Sequence, residues 1–186
     1  WSYSKKLLQK PESGVSLTNQ ELGFVDMTFM ICYSLGLAFI GPFGDTLNRR
    51  FFISIGYYVC GCAYLVFPSL SYFFGFHSYW VLIVFMGING LGESVGMPGS
   101  MGVLSNWFKG SKKGVIVGAW AGCCNFGNIM GLISSTIINQ YIKARWEWIY
   151  FYNGLVTLCL ATVVILCLRE RPSNDSLESL LTKINS

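Results

Sequence analysis

The sequence predicts an all-α membrane protein with five full transmembrane helices, and three observations carry that prediction. Hydrophobic residues fill 53% of the 186 positions and charged residues only 12%, against roughly 25% charged in an ordinary soluble domain. That leaves too little polar surface to coat a soluble fold. The apolar residues fall into five runs, each meeting or exceeding the roughly 20 residues a helix needs to cross the hydrocarbon. A membrane barrel would instead show alternating segments of about ten residues. Aromatic residues at several run ends (Tyr72, Tyr79, Trp80, Trp107, Trp146 and Trp148) fit interfacial belts.

Taken in order, residues 1–10 are short and mixed, and the chain opens on Trp1. Lys5, Lys6 and Lys10 are followed by Pro11, Glu12 and Ser13, not by an apolar core, so no signal peptide is read here and the true N-terminus is expected to be missing. Residues 11–20 form a polar loop. Thr18 followed by Glu21 reads as a capping box, which starts a helix near Asn19. The first span covers residues 22–43, with Asp26 the one charge near its start and expected at the outer interface. A tight loop follows at 44–50, then spans at 51–74 and 79–108, a basic loop at 109–113, a span at 114–142, a turn at 143–147 and a fifth span at 148–168. The bundle as a whole runs from 21 to 168. The tail, residues 169–186, is polar and reads as a cytosolic linker.

Orientation follows from the basic residues. Arg49 and Arg50, then Lys109, Lys112 and Lys113, then Arg169, Arg171 and Lys183 lie on one side, which the positive-inside rule makes cytosolic. The opposite turns hold only Lys143 and Arg145, with Glu147 alongside, and His77 is expected to be solvated in an outside turn. The 11–20 loop is then extracytosolic. The net charge of +4 therefore reports topology, and no nucleic-acid partner is expected. All seven cysteines lie inside apolar runs and read as small hydrophobes, with no cofactor or metal site expected.

Residues 87–107 read GINGLGESVGMPGSMGVLSNW, with Glu93 the sole charge. A lone carboxylate in a bilayer-length segment is costly and needs a reason to be there. It can be a proton-coupling acid, a partner for a cation of the substrate or of a second half, or a neutral carboxyl hydrogen-bonded between helices. The surrounding glycines and serines suit close helix packing. Phe51, Phe52, Tyr57 and Tyr58 are read as lipid-facing or packing residues.

The loop Gly41-Pro-Phe-Gly-Asp45-Thr-Leu-Asn48-Arg49-Arg50 places a carboxylate and two arginines in a short turn between spans. Such a turn can lock a helix end by ion pairs and release it when helices tilt, or it can be a plain positive-inside turn. It resembles the G-x-x-x-D-x-x-G-R-R/K loop between the second and third helices of major facilitator superfamily transporters, with Asn48 in place of the usual glycine. Other segments resemble the organophosphate:phosphate antiporters of that superfamily. Residues 89–98 and Ser105-Asn106-Trp107-Phe108 are similar to the family's fourth helix. Residues 114–131, with Trp120, Asn125, Gly127, Asn128 and Gly131, are similar to the fifth. Leu22-Gly23-Phe24 and Tyr33-Ser34 are similar to the second, and Tyr3-Ser4-Lys5-Lys6 to the end of the first.

The resemblance covers the family's N-terminal half. It implies the end of helix 1 at residues 1–10, then family helices 2–6, with a substrate site near the bilayer midplane between two six-helix halves. Lys5, Glu93, Trp120 and Asn125 are the implied lining residues, and Asp45, Arg49 and Arg50 the implied cytosolic gate. Lys5 falls where the family's phosphate-binding arginine stands; a lysine keeps the charge without the bidentate fork. It can equally mark a membrane boundary. The fifth-helix histidine of several members is absent, and Glu93 replaces a glutamine. The implied function is exchange of sugar phosphates or glycerol phosphate for phosphate by alternating access. The implied partners are a small anionic or phosphorylated solute, the lipid bilayer and a second six-helix half missing from this chain. The alternatives are transport of another solute with proton coupling through Glu93, or a truncated non-transporting scaffold. An intramembrane enzyme is disfavoured, because no Ser/His, paired Asp or His-rich constellation occurs at bilayer depth.

Overall fold

The computed structural model describes residues 5, 8, 9, 17–74, 78–108, 113–142 and 147–169. Among these residues the regular structure is helical throughout. The helices are α1 (Asn19–Phe39), α2 (Phe43–Thr46), α3 (Arg49–Phe74), α4 (Tyr79–Glu93), α5 (Gly96–Trp107), α6 (Lys113–Ile142) and α7 (Glu147–Cys167). With α4 and α5 taken as one rod, five helices are long and apolar enough to cross a bilayer. His77 lies outside the described residues.

The capping box starts α1 where the sequence predicts. The Glu21 amide donates to Thr18 Oγ1 at 3.3 Å, and the Thr18 amide donates to Glu21 Oε2 at 2.8 Å. Its end differs from expectation: α1 stops at Phe39, four residues early. Pro42 disfavours a helical conformation at Gly41, and the Ile40 and Gly41 amides both turn back to the Gly36 carbonyl. The stretch expected as an open loop instead forms the single turn α2. Helix α3 then starts two residues earlier than predicted. Asn48 caps it, its Oδ1 accepting from the Phe51 amide at 3.4 Å and its carbonyl from the Phe52 amide at 3.0 Å.

The predicted span 79–108 is interrupted at Ser94 and Val95. Pro98 explains the interruption: it has no amide proton to give the Ser94 carbonyl, and its ring crowds that carbonyl. Ser94 and Val95 keep right-handed helical torsions, so α5 continues α4 as one rod with a gap in its hydrogen bonding. Pro68 lies inside α3 without ending it.

Helix α3 is the hub: it packs on α7 along its length and on α4 and α5, while α1 packs on α4. Glycines make these crossings close. A Cβ added at Gly56 of α3 would stand 2.8 Å from the Gly92 carbonyl of α4, and one added at Gly154 of α7 would stand 2.9 Å from Leu65 of α3. Towards the outer end the helices share an aromatic core, in which Phe67 stacks on Phe85 at 4.4 Å and Tyr150 meets both rings edge-on. Of the aromatics read as lipid-facing or packing, Phe51 is exposed and Phe52 buried. Helix α6 stands apart. Its main contacts are with α5 and α7, and its most apolar 18-residue stretch has no buried residue.

Candidate functional site

The polar centre of the bundle forms where α4 gives way to α5. One turn before the gap, Gly90 brings α4 against the α1 backbone, a Cβ there lying 2.6 Å from the Phe29 carbonyl and 3.1 Å from the Tyr33 amide. Gly92 faces α3 in the same way, 3.1 Å from the Gly56 carbonyl. Glu93 follows directly and is half-buried beside both neighbours. The glycines on either side of it set what surrounds it: Gly90 lies against the Tyr33 backbone of α1 and Gly92 against the Cys60 thiol of α3. The Tyr57 hydroxyl lies 3.4 Å from the Cβ position of Gly96, just past the gap. Three spans thus bring a carboxylate, phenolic hydroxyls and a thiol towards one region of the bundle. This set accepts and donates hydrogen bonds and can bind a cation or a hydroxyl-bearing solute.

Lys5 forms an ion pair with Asp26 of α1. The sequence placed Asp26 at the outer interface without a role; the structure makes it the partner of Lys5. Asp26 and Tyr33 lie seven residues apart, two turns on one face of α1, or about 10 Å. The Lys5–Asp26 pair therefore sits on the outer side of the level of Glu93. Trp120 and Asn125 flank Cys124 on α6, Trp120 half-buried and Asn125 exposed, and the Cys124 thiol is 3.9 Å from the Trp120 carbonyl.

At the opposite end, Arg49 and Arg50 occupy the first turn of α3 and are both half-buried. Cations at a helix N-terminus oppose the helix dipole, so this placement calls for compensating acceptors. The side chain of Asp45, the third member of the implied gate, lies outside the described residues. Arg49 instead reveals a contact the sequence did not suggest. Its guanidinium lies directly over Gly102 of α5, where any Cβ would collide with Nε. Gly102→Val is expected to expel Arg49 from this groove. The expected readout is a double-mutant cycle of melting in detergent: Gly102→Val lowers the melting temperature with Arg49 present and lowers it less in an Arg49→Ala background. Equal losses in both backgrounds would show that the groove does not hold the side chain.

Sequence reasoning missed four further positions. Tyr33 and Tyr57 were read as a family match and as packing. Asp26 was legible in principle, since two opposite charges near a bilayer favour pairing. Glu147, expected in the 143–147 turn, is fully buried in the first turn of α7, where a negative charge suits the helix dipole.

The family model described as Major Facilitator Superfamily matches residues 11–185. The glucose-6-phosphate exchanger SLC37A2 of Homo sapiens is 32% identical over 153 residues, covering 82% of this chain and 30% of its own length. SLC37A2 of Xenopus tropicalis is 31% identical with the same coverage. The putative glycerol-3-phosphate transporter 4 of Arabidopsis thaliana is 31% identical over 165 residues, covering 89% of this chain and 29% of its own length. The chain thus spans about 30% of the length of these relatives.

Proposed function

The chain belongs to the Major Facilitator Superfamily, and from that premise we propose that it is part of a secondary transporter, not an enzyme, that exchanges small organic phosphates for phosphate by alternating access. The observation that carries this reading is the similarity to a glucose-6-phosphate exchanger in vertebrates and to a glycerol-3-phosphate transporter in a plant. The two groups of relatives share an anionic, phosphorylated solute. The half-buried Glu93, with Tyr33 of α1 and Cys60 and Tyr57 of α3 packed against its own rod, supports it, because transporters of this kind bind solute near the bilayer midplane.

In this proposal Lys5 supplies positive charge for the phosphate, and Asp26 holds the ammonium until substrate competes for it. Glu93 repels a phosphate placed beside it, so it sits against the hydroxyl-bearing or proton-carrying end of the site. Trp120 and Asn125 line the site from α6 as that helix closes on the bundle. Asp45, Arg49 and Arg50 form the cytosolic gate, with Gly102 receiving Arg49. A second helical half completes the site.

The test is counterflow in liposomes loaded with unlabelled phosphate, using the full-length protein. Labelled phosphate, glucose 6-phosphate or glycerol 3-phosphate is expected to accumulate above the level of empty liposomes. If none of them exchanges, the organophosphate reading fails, and family membership stands. In that outcome uptake of a non-phosphorylated solute driven by a proton gradient becomes the favoured alternative, and Glu93 is the observation that favours it.

A further inference from the structure

One cleft lies away from the polar centre, where two spans end on the basic side. It holds about 380 Å³ between the end of α5 and the end of α7. Its walls are Val103, Leu104, Trp107 and Phe108 from one side and Cys167 and Leu168 from the other, with Arg169 as its single charge. The Trp107 indole donates to the Arg169 carbonyl at 2.8 Å and ties the two helix ends together. Arg169 itself is exposed. The rims continue in sequence into Lys109, Lys112 and Lys113 after one and Glu170 and Arg171 after the other, a net excess of positive charge.

We infer that this cleft binds an anionic phospholipid, one acyl chain lying along the apolar walls and the phosphate resting on the Arg169 guanidinium. The position fits, since Trp and Arg at a span end mark the level of lipid headgroups. The shape of the chemistry fits as well: apolar walls suit an acyl chain, and a guanidinium fork suits a phosphate. Charge complementarity selects the lipid class. Among the described residues the lining contains no carboxylate to receive the ammonium of a zwitterionic headgroup, while the lysine-rich segment after α5 attracts net negative charge. A lipid seated here joins the end of the Glu93-bearing rod to α7, and so steadies the side of the bundle that carries Arg49 and Arg50. This inference does not depend on which solute is carried.

The test is native mass spectrometry of the full-length protein titrated with phosphatidylglycerol or phosphatidylcholine in detergent. The first phosphatidylglycerol is expected to bind more tightly than the first phosphatidylcholine. Arg169→Gln keeps the backbone carbonyl that Trp107 uses and removes the guanidinium. It is expected to weaken the first phosphatidylglycerol about fivefold, the effect of one basic residue near a membrane surface, and to leave phosphatidylcholine unchanged. Leu104→Trp fills the cleft and is expected to weaken the first lipid of both kinds. Wild-type phosphatidylglycerol affinity in both variants, each confirmed folded by its elution and melting profile, would overturn the inference. So would equal loss of both lipids in Arg169→Gln.

Discussion

Glu93→Gln is expected to lower solute uptake against a gradient by about ten- to hundredfold, the scale of one lost hydrogen bond to a charged group in a buried site. Glutamine preserves volume and hydrogen-bonding shape and removes the charge and the titrating proton, so the loss isolates what the carboxylate adds. Counterflow, which needs no driving ion, then separates the roles open to this residue. A proton-coupling acid loses uphill uptake and keeps counterflow. A carboxylate that binds the solute loses both. A neutral carboxyl hydrogen-bonded between helices loses neither, and full uphill activity in Glu93→Gln would assign Glu93 to packing. The position makes a sizeable effect reasonable. Glu93 stands at the hydrogen-bond gap opened by Pro98, in a stretch whose glycines lie against Tyr33 of α1 and against Cys60 and Tyr57 of α3. A charge change there is felt by α1, α3 and the α4–α5 rod together.

Gly56→Leu is expected to damage folding. The new Cβ would stand 2.8 Å from the Gly92 carbonyl and 2.9 Å from the Val95 Cβ, closer than carbon atoms approach without displacing a neighbour. A flexible side chain could yield, but the Gly92 carbonyl is backbone in the middle of a packed helix. Overpacking of this kind costs roughly 1–3 kcal/mol, and interfaces in lipid depend on close backbone approach more than on apolar burial. The expected result is a melting temperature in detergent several degrees below wild type, with a larger aggregated fraction on size exclusion. Gly23→Ala serves as the control, since nothing lies within 4 Å of its added Cβ; it is expected to melt with the wild type. Equal melting of Gly56→Leu and wild type would mean that α3 and α4 do not cross at this point in the folded protein.

The spans were legible because each depends on local sequence: apolar length, basic loops and breakers. The capping box at Thr18 and Glu21 fixed the start of α1 to the residue. Errors clustered at proline, where the consequence acts on a carbonyl four residues away. Pro42 shortened α1, and Pro98 opened the gap after Glu93. The site was less legible. Lys5, Trp120 and Asn125 came from a motif, and a motif carries no distances. Asp26 and Tyr57 contribute through partners that are distant in sequence, Lys5 in one case and the Glu93–Gly96 segment in the other.

The sequence by itself determined that this is a multi-pass helical membrane protein, because hydrophobic length and the scarcity of charge are additive properties that need no knowledge of neighbours. It also pointed to Glu93, because an isolated carboxylate in such a segment is costly wherever the helices pack. Only the tertiary structure decided what surrounds that carboxylate, which side chain Lys5 holds, and that Arg49 rests in a groove made by the absence of a side chain at Gly102. These depend on how helices cross, and in lipid the crossing points are set by small residues meeting across helices, a match between two surfaces that neither segment encodes alone.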